Sequence, residues 1–469
     1  MNDTTVVVIG AGLAGLTAAL EAHNHGAKVI LIDKEKNVGG NSMKATSGIN
    51  AVTEADTAEA FLQDTLSSGG GLSNADLAKK IVYESNDAIQ WLENQDPANT
   101  LQLSLVSQCG GHTHARTHRC PPYKGAPVPV GWKLVDTLKK KLLQEKVDIY
   151  TGTLVTDLIV ESGRVVGLKM VRSSSDAEEM TEELRADAIV LASGGFGGQT
   201  KNGTLLETYA PQLLNLATTN GPWADGNGVQ LGLAVGATAI DMDQVQIHPT
   251  GFVDPNQPDL ATKFLAPEAL RGYGAILIDA QGHRFANELA RRDELTNAIF
   301  KHTEKVSMSP PHSVFLVMTD EAVDAFGRST LEFYAKKGFF KKYQGTAALA
   351  ESLNLDLSQL ENEWTTYDRY VDGVADDFGK TKFACKLMPA EDTGYWVATI
   401  TPCVHYTMGG LQIDVNAAVQ ADGKPIPGLY AAGEVTGGVH GRNRLAGNSL
   451  LECVVFGRTA GRNAALMQK

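Results

Sequence analysis

The stretch Thr5-Val6-Val7-Val8-Ile9-Gly10-Ala11-Gly12-Leu13-Ala14-Gly15 decides the fold of this 469-residue chain. Its first five residues are all β-branched, which predicts a buried strand of a parallel sheet. Small residues over 16–22 then predict a helix, and Lys28-Val29-Ile30-Leu31-Ile32-Asp33 predicts a second strand. A strand, a glycine-rich turn, a helix and a second strand in this order indicate a dinucleotide-binding unit.

The three glycines of this turn have separate physical roles. Gly10 permits the tight turn, Gly12 lets a pyrophosphate approach the backbone, and Gly15 lets the helix pack closely on the strand. The helix N-terminus adds free N–H groups and the positive end of its dipole. Asp33, 18 residues after Gly15, is placed to bind ribose hydroxyls. The alternative is a glycine-rich turn that binds nothing, and the ordered arrangement of all these parts disfavours it.

The glycine pair Gly39-Gly40 indicates that the predicted dinucleotide is FAD rather than NAD. In flavoproteins a loop at this place crosses back over the pyrophosphate, and the residues after it run toward the flavin. Two further predicted strands end in small-residue turns, Ala192-Ser193-Gly194-Gly195 and Ala431-Ala432-Gly433-Glu434. Such turns face the cofactor in FAD-binding Rossmann-type proteins, and the alternative is an ordinary turn between strand and helix. The chain is therefore predicted to leave the nucleotide-binding domain and return to it.

These segments predict an α/β fold, a Rossmann-type FAD-binding domain with an inserted α+β capping domain. We assign residues 1–244 to the first part of the FAD-binding domain, 245–395 to the capping domain and 396–469 to the return segment. The expected FAD contacts come from the loops above and from segments beside them, namely Gly10, Ala11, Gly12, Ala14, Gly15, Asp33, Lys34, Gly40, Asn41, Ser42, Thr46, Ser47, Gly48, Ile49, Asn50, Val155, Ala192, Ser193, Gly194, Asp225, Gly433, Glu434, Ser449 and Leu450.

Composition excludes several classes of protein. There are 54 acidic and 41 basic side chains, so the formal net charge of −13 argues against a nucleic-acid partner. The longest apolar stretch, from Val6 to Leu20, is too short for a membrane span. Asp3 stands where a signal peptide needs basic residues. With five scattered cysteines and no C-x-x-C pair, we expect an intracellular chain in the cytoplasm or an organelle matrix, without a disulfide framework.

A set of motifs spread along the chain resembles the flavoprotein of soluble fumarate reductases, within the succinate dehydrogenase/fumarate reductase superfamily. The resemblance covers essentially the whole chain, and the closing Asn448-Ser449-Leu450-Leu451-Glu452-Cys453 is similar to eukaryotic soluble members. The other motifs, in chain order, are Gln246-Ile247-His248-Pro249-Thr250, Glu268-Ala269-Leu270-Arg271-Gly272, Arg284-Phe285-Ala286-Asn287-Glu288, Val404-His405-Tyr406-Thr407-Met408-Gly409-Gly410 and His440-Gly441-Arg442-Asn443-Arg444-Leu445.

The resemblance implies a small dicarboxylate substrate, fumarate. His405 and Arg444 would hold one carboxylate and His248 would help to hold the other, with Thr250 and Gly410 also expected at the substrate. A lone histidine is more often structural, but several histidines and arginines at matching positions reverse that expectation. Arginine suits the task because its guanidinium grips a carboxylate with two N–H groups.

By the same resemblance, reduced flavin N5 gives a hydride and Arg292 gives the proton. An arginine acid has a pKa above about 12 and needs a relay, which the resemblance assigns to Glu268 and Arg271. These two are spaced i and i+3 on one helical face. Spacing alone favours an ion pair of Arg292 with Asp293 or Glu288. The neighbouring Arg291 is a rival for the acid, and register against the Arg292-Asp293 pair of the family motif selects Arg292.

Two departures from the family pattern affect the prediction. Pro267 stands before Glu268 where members often have threonine, which puts one hydroxyl contact to substrate in doubt. Respiratory relatives attach FAD to a histidine near the position of Asn41, yet no histidine lies between residues 26 and 111. We therefore predict noncovalent FAD.

The residues Cys109 to Cys120 contain three histidines, but a loop at the domain junction is favoured over a zinc site, and no metal is predicted.

Three functions remain open on the sequence. The leading one is reduction of fumarate to succinate, with electrons from a reduced flavin or a separate donor protein. A second is reduction of another activated alkene such as urocanate or a different unsaturated carboxylate. A third is a flavoprotein subunit of an electron-transfer complex. The pattern of cationic groups for both ends of a dicarboxylate favours the first.

Overall fold

The computed structural model describes residues 4–124, 128–172, 180–198, 204–305, 308–388, 390 and 392–467. Its strands are β1 (Thr5–Ile9), β2 (Lys28–Ile32), β3 (Ile49–Asn50), β4 (Leu105–Ser107), β5 (Thr117–Arg119), β6 (Asp148–Tyr150), β7 (Thr153–Glu161), β8 (Arg164–Arg172), β9 (Met180–Arg185), β10 (Ala188–Leu191), β11 (Ala217–Thr218), β12 (Ala239–Ile240), β13 (Val245–Phe252), β14 (Phe264–Leu265), β15 (Ile276–Ile278), β16 (Val314–Thr319), β17 (Lys341–Gln344), β18 (Gly394–Thr407), β19 (Gly410–Gln412), β20 (Ala418–Ala421), β21 (Lys424–Ala431) and β22 (Thr436–Gly437).

The helices cover both the predicted nucleotide-binding part and the inserted part. They are α1 (Leu13–Asn24), α2 (Ala58–Ser68), α3 (Ala75–Tyr83), α4 (Ser85–Asn94), α5 (Val130–Gln144), α6 (Leu205–Tyr209), α7 (Asn227–Ala234), α8 (Ala269–Gly272), α9 (Arg292–Thr303), α10 (Asp320–Phe326), α11 (Arg328–Lys336), α12 (Gly345–Leu353), α13 (Leu357–Val371) and α14 (Asn448–Leu466), with 3₁₀ turns at Gly40–Lys44 and Pro211–Leu213. Within the described residues, no helix combines the length and the apolar character that a membrane crossing requires.

The first sheet has the strand order β20-β21-β10-β1-β2-β6. Strands β21, β10, β1, β2 and β6 pair in parallel, and β20 pairs antiparallel to β21. Gly10 has φ +103°, and a Cβ on Gly15 would stand 1.8 Å from the carbonyl oxygen of Gly10. The glycines therefore permit the turn and the close approach of α1 to it. The predicted α/β fold and the return of the chain to its first sheet are confirmed.

A second sheet is built around the long strand β18. Its order is β14-β13-β18-β16-β15, and β11 and β17 also pair with β18. One apolar core surrounds the first sheet, with members from Val6 to Met242 and from Val404 to Ala465, whereas two other cores draw on residues between Phe252 and Ile400. Strand β18 carries its last residues from the second sheet to the edge of the first core. The exact division at 244/245 and 395/396 stays a prediction.

Candidate functional site

A cavity opens where the parallel strands of the first sheet end. The residues that follow β1, β2, β10 and β21 all line it, as expected for a sheet of this topology, whose ligands bind outside the carboxyl ends of the strands. Most of the predicted cofactor residues lie on its wall, namely Gly10, Gly12, Ala14, Asp33, Lys34, Gly40, Asn41, Ser42, Thr46, Ser47, Gly48, Val155, Ala192, Ser193, Gly194, Gly433, Glu434, Ser449 and Leu450.

The other predicted cofactor residues lie just behind this wall. The Ala11 N–H donates to Asp33 Oδ2 at 2.7 Å, and Gly15 packs on the turn. Asp225 forms an ion pair with Lys34. Ile49 is buried in the core, and Asn50 donates to the carbonyl of Ala446 at 2.8 Å. These five residues do not line the cavity themselves.

The geometry at Gly12 fits a bound dinucleotide. Gly12 has an ordinary φ of −73°, and a Cβ added there would meet nothing closer than Ser42 Oγ at 3.6 Å. The protein by itself therefore gives no steric reason for glycine at this position. A cofactor lying against the backbone supplies that reason, because the added methyl group would fill the space reserved for it.

Polar groups on the wall also fit FAD. The hydroxyls of Ser193 and Thr46 are buried and have no protein partner within the described part of the chain. Burial raises the pKa of the Glu434 carboxyl to about 7, although it accepts hydrogen bonds from Thr407. Burial also raises the pKa of Asp33, against the opposing effect of the N–H groups of Ala11 and Glu35. Carboxylates can accept hydrogen bonds from the hydroxyls of a dinucleotide, and buried protein hydroxyls can donate to its oxygen atoms.

One end of the cavity is strongly cationic. The cations Arg292, Arg444 and Lys44 line it, together with the ring of His405. His248 lies beside this end, with its ring centroid 5.0 Å from that of His405. The predicted binding residues from four distant motifs therefore meet at one place, next to the predicted flavin site.

Both histidines are held neutral. Burial and the charge of Arg292 lower the pKa of each imidazole well below its usual value, and Arg444 adds to the effect at His405. His248 Nδ1 lies 3.1 Å from both the backbone nitrogen and the carbonyl oxygen of Thr250, and its Nε2 is buried without a protein partner in the described ranges. His405 Nδ1 lies 2.6 Å from the Thr219 hydroxyl. Each ring therefore has its Nε2 left for a ligand.

Arg444 is buried and fixed by the ring beneath it. Its guanidinium carbon lies 4.5 Å from the centre of the Tyr406 ring, and the Tyr406 hydroxyl donates to Glu452 at 2.7 Å. Nη1 donates to the Leu445 carbonyl, whereas Nε has no partner among the described residues. Burial and the charge of Arg292 lower the pKa of Arg444 to about 10. Arg444 remains cationic at neutral pH and has N–H groups to spare.

Arg292 is the first residue of α9 and is buried. Its Nε donates to Glu268 Oε2 at 2.7 Å and its Nη1 to Gln246 Oε1 at 2.8 Å. Spacing alone favoured different partners, but Asp293 pairs with Arg291. Glu288, the other candidate, pairs with Arg284 and Lys380. The contact with Glu268 joins Arg292 to the predicted relay instead.

The residues of the predicted relay lie beside Arg292, with an ion pair but no hydrogen bond between Glu268 and Arg271 in the described part of the chain. Glu268 Oε2 lies 3.8 Å from Arg271 Nη2, and Glu268 Oε1 accepts the Gly110 N–H at 2.8 Å. Burial raises the pKa of Glu268, but the charges of Arg292 and Arg271 outweigh burial and bring it to about 2. Glu268 is thus an ionised carboxylate between two guanidinium groups. Pro267 precedes it, and its carbonyl accepts the Leu270 N–H.

Thr250 and Gly410 were predicted at the substrate but do not line the cavity. The Thr250 hydroxyl donates to the Ala266 carbonyl at 3.0 Å, so this residue supports His248 from behind. A Cβ on Gly410 would stand 2.4 Å from the Val435 carbonyl oxygen, so glycine is needed there for packing. Their part in substrate binding stays a prediction.

Residues 109–120 form a buried polar network beside the site. Arg116 pairs with Asp56 and Asp64 at 2.7 and 2.5 Å. His112 uses both ring nitrogens within the protein, Nδ1 against Arg116 and Nε2 against the Ala446 carbonyl. This segment therefore supports the loop after Arg444 and places the Gly110 N–H on Glu268.

Three residues at the site were missed by sequence reasoning. Gln246 accepts from Arg292 and donates to the Arg444 carbonyl at 2.8 Å. Its position in the quoted motif two residues before His248 could have identified it. Lys44 donates to the Thr219 carbonyl at 2.5 Å, and Thr219 contacts His405. Nothing in the local sequence distinguishes Lys44 or Thr219, because both contacts join segments far apart in the chain.

The chain is similar over most of its length to known proteins. Residues 5–450 match the family described as FAD binding domain. The chain is 40% identical over 488 residues to fumarate reductase 1 of Saccharomyces cerevisiae, covering 99% of both chains. It is 37% identical over 482 residues to fumarate reductase of Schizosaccharomyces pombe, covering 99% of this chain and 90% of that one. The open conformation of a flavocytochrome c3 fumarate reductase superposes with a TM-score of 0.76 at 32% identity, covering 99% of this chain and 78% of that one.

Proposed function

The chain belongs to the FAD binding domain family as a flavin-dependent oxidoreductase that binds FAD, and we propose that it reduces fumarate to succinate. The observation that carries the proposal is the cationic end of the cavity, where Arg292 and Arg444 stand beside the neutral ring of His405. The protein as a whole has a formal net charge of −13. A local reversal of charge beside the flavin site suits a small dianion.

The residues divide between holding the substrate and delivering a proton. Arg444 and His405 would bind one carboxylate, and the free Nε2 of His248 would bind the other. Reduced FAD, when bound, supplies a hydride to one alkene carbon. Arg292 would give the proton to the adjacent carbon, so that hydride and proton together convert the alkene to succinate. Its position on the cavity wall and its bond to Glu268 support that role.

The relay would restore the proton that Arg292 gives up. Glu268 touches Arg292 at 2.7 Å and lies 3.8 Å from Arg271. An ionised carboxylate between two guanidinium groups can accept a proton from one and pass it to the other. The lowered pKa values of the two histidines keep both rings neutral, so they would contribute hydrogen bonds and no positive charge to substrate binding.

The direct test of the function is anaerobic reoxidation. The bound flavin is reduced chemically, fumarate is added without oxygen, and recovery of the oxidised-flavin absorbance band is followed. We expect stoichiometric recovery with fumarate and formation of succinate. Recovery with urocanate but not with fumarate would transfer the assignment to another alkene. No recovery with either would favour a subunit that passes electrons elsewhere. We also propose that a free reduced flavin or a separate protein supplies the electrons that reduce the bound FAD.

We predict that the flavin is held without a covalent bond. Asn41, near the attachment position of respiratory relatives, bonds instead to the Asn220 side chain at 2.6 Å and accepts from Trp223 Nε1 at 3.1 Å. It thus joins two walls of the cavity. Acid or heat precipitation should leave all of the FAD in the supernatant. Fluorescence that stays with the polypeptide on a denaturing gel would contradict the prediction.

A further inference from the structure

The hydroxyl of Thr219 lies against one of the proposed substrate-binding histidines. Its oxygen is 2.6 Å from His405 Nδ1 and 3.4 Å from the Val404 carbonyl oxygen. A hydroxyl has one proton to donate. O–H donors prefer acceptors within about 3.0 Å, so Nδ1 is better placed than the Val404 carbonyl oxygen to take the hydroxyl proton. His405 then carries its own proton on Nε2.

The opposite arrangement would be unsuitable for a carboxylate ligand. If Nδ1 carried the proton, Nε2 would present a lone pair to the cavity, and a carboxylate oxygen would be repelled. His248 gives no such indication, because its Nδ1 lies 3.1 Å from both the backbone nitrogen and the carbonyl oxygen of Thr250.

Thr219 is itself held firmly from two sides. Its backbone N–H donates to the Val404 carbonyl at 2.9 Å. Its own carbonyl accepts from Lys44 Nζ at 2.5 Å, and the Lys44 ammonium lies 5.7 Å from the centre of the Trp223 ring. The residue is almost wholly buried. Its hydroxyl therefore meets His405 in a fixed direction.

We propose that Thr219 is a positioning residue that fixes His405 as the tautomer with its proton on Nε2, and so prepares it to bind a substrate carboxylate. The choice of substrate rests on the proposed function, but the tautomer does not. In this scheme Thr219 takes no part in the hydride transfer or in the proton transfer. Its loss should therefore weaken binding of substrate and transition state alike.

The first experiment reads the tautomer directly in the oxidised FAD-bound enzyme without substrate. Nitrogen-15 NMR of histidine-labelled protein assigns His405 as the signal lost in His405→Gln. We expect a protonated Nε2 and an unprotonated Nδ1 in the wild type, loss of that signature in Thr219→Val and its return in Thr219→Ser. A proton on Nδ1 in the wild type would overturn the proposal, whether or not fumarate proves to be the substrate.

The second experiment separates binding from turnover. Thr219→Val should raise the Kd for malonate, read from the flavin absorbance change, by about tenfold, and raise KM for fumarate similarly with kcat within about threefold. Thr219→Ser should restore both. Thr401→Val is the matched control. This buried threonine lies on β18, the strand that carries His405, but its hydroxyl donates to the Pro311 carbonyl. Unchanged malonate affinity in Thr219→Val, or an equal loss in Thr401→Val, would contradict the proposal.

Discussion

Replacing Arg292 by alanine is expected to lower kcat for fumarate reduction by about 10³-fold, the contribution of a well-placed general acid. FAD content should not change, because the glycine loops hold the cofactor. Dicarboxylate binding should largely persist, since Arg444 and both histidines remain. Loss of the Arg292 charge removes one cause of the low pKa values of His248 and His405, so both values should rise and favour anion binding. Anaerobic steady-state kinetics, the FAD-to-protein ratio and malonate titration measure the three effects.

The neighbouring arginine provides a matched control. Arg291 is 34% exposed and pairs with Asp293 and Glu294, whereas Arg292 is only 5% exposed and pairs with Glu268. Arg291→Ala should therefore keep kcat within about threefold, as expected when a surface ion pair is lost. Substantial residual turnover in Arg292→Ala, or a comparable loss in Arg291→Ala, would remove Arg292 from its role as the acid.

The contrast between these two arginines shows where sequence reasoning failed. Spacing suggested a partner for Arg292 within the adjacent residues, but neighbours on a helix do not face each other. Helix α9 begins at Arg292, and Arg291, just before it, takes the exposed acidic side chains of the first turn. Arg292 is left to face inward, where Glu268 and Gln246 reach it across gaps of 24 and 46 residues. Register with a known motif identified Arg292 where spacing did not.

Local and distant contacts thus differ in how well they can be predicted. The first sheet and its glycine turn follow from one contiguous stretch, since backbone conformation and β-branching act over a few residues. The site depends on contacts such as that of Thr219 with His405, which are 186 residues apart. No periodicity in the sequence reports such a meeting, because it exists only after β11 and β18 pair. The resemblance to a known family identified His405 as a site residue, whereas Thr219 could be identified only from the fold.

The positive charge of the cavity end contrasts with the negative net charge of the whole chain. Composition argued against polyanionic partners over the whole surface, yet the cavity end gathers Arg292, Arg444 and Lys44. Burial costs each cation solvation, which is visible in the lowered pKa values of Arg444 and Lys44. Glu268 offsets part of the mutual repulsion by pairing with Arg292. A dianionic ligand would complete the neutralisation, and this makes tight dicarboxylate binding compatible with an acidic protein.

Replacing Gly12 by alanine is expected to weaken FAD binding at least about 100-fold, or about 2.7 kcal/mol, while the apoprotein still folds. The added methyl group has room in the protein alone, with Ser42 Oγ 3.6 Å away, and therefore clashes only with the cofactor. Gly12 is also the N-cap of α1, where alanine costs about 1 kcal/mol. Titration of the apoprotein with FAD measures the first effect, and its thermal denaturation measures the second.

Gly15→Ala separates this effect from a general loss of structure. A methyl group there would stand 1.8 Å from the Gly10 carbonyl oxygen, so α1 has to move away from the turn whether or not FAD is present. We expect the Gly15 variant to lose several kcal/mol of apoprotein stability, and the Gly12 variant to lose little. Equal destabilisation of the two apoproteins would mean that Gly12 serves the fold. Undiminished FAD affinity in Gly12→Ala would mean that the pyrophosphate does not lie against this turn. In this prediction Gly15 is needed for the packing of α1 against the turn, whereas Gly12, three residues before it, is needed for cofactor binding.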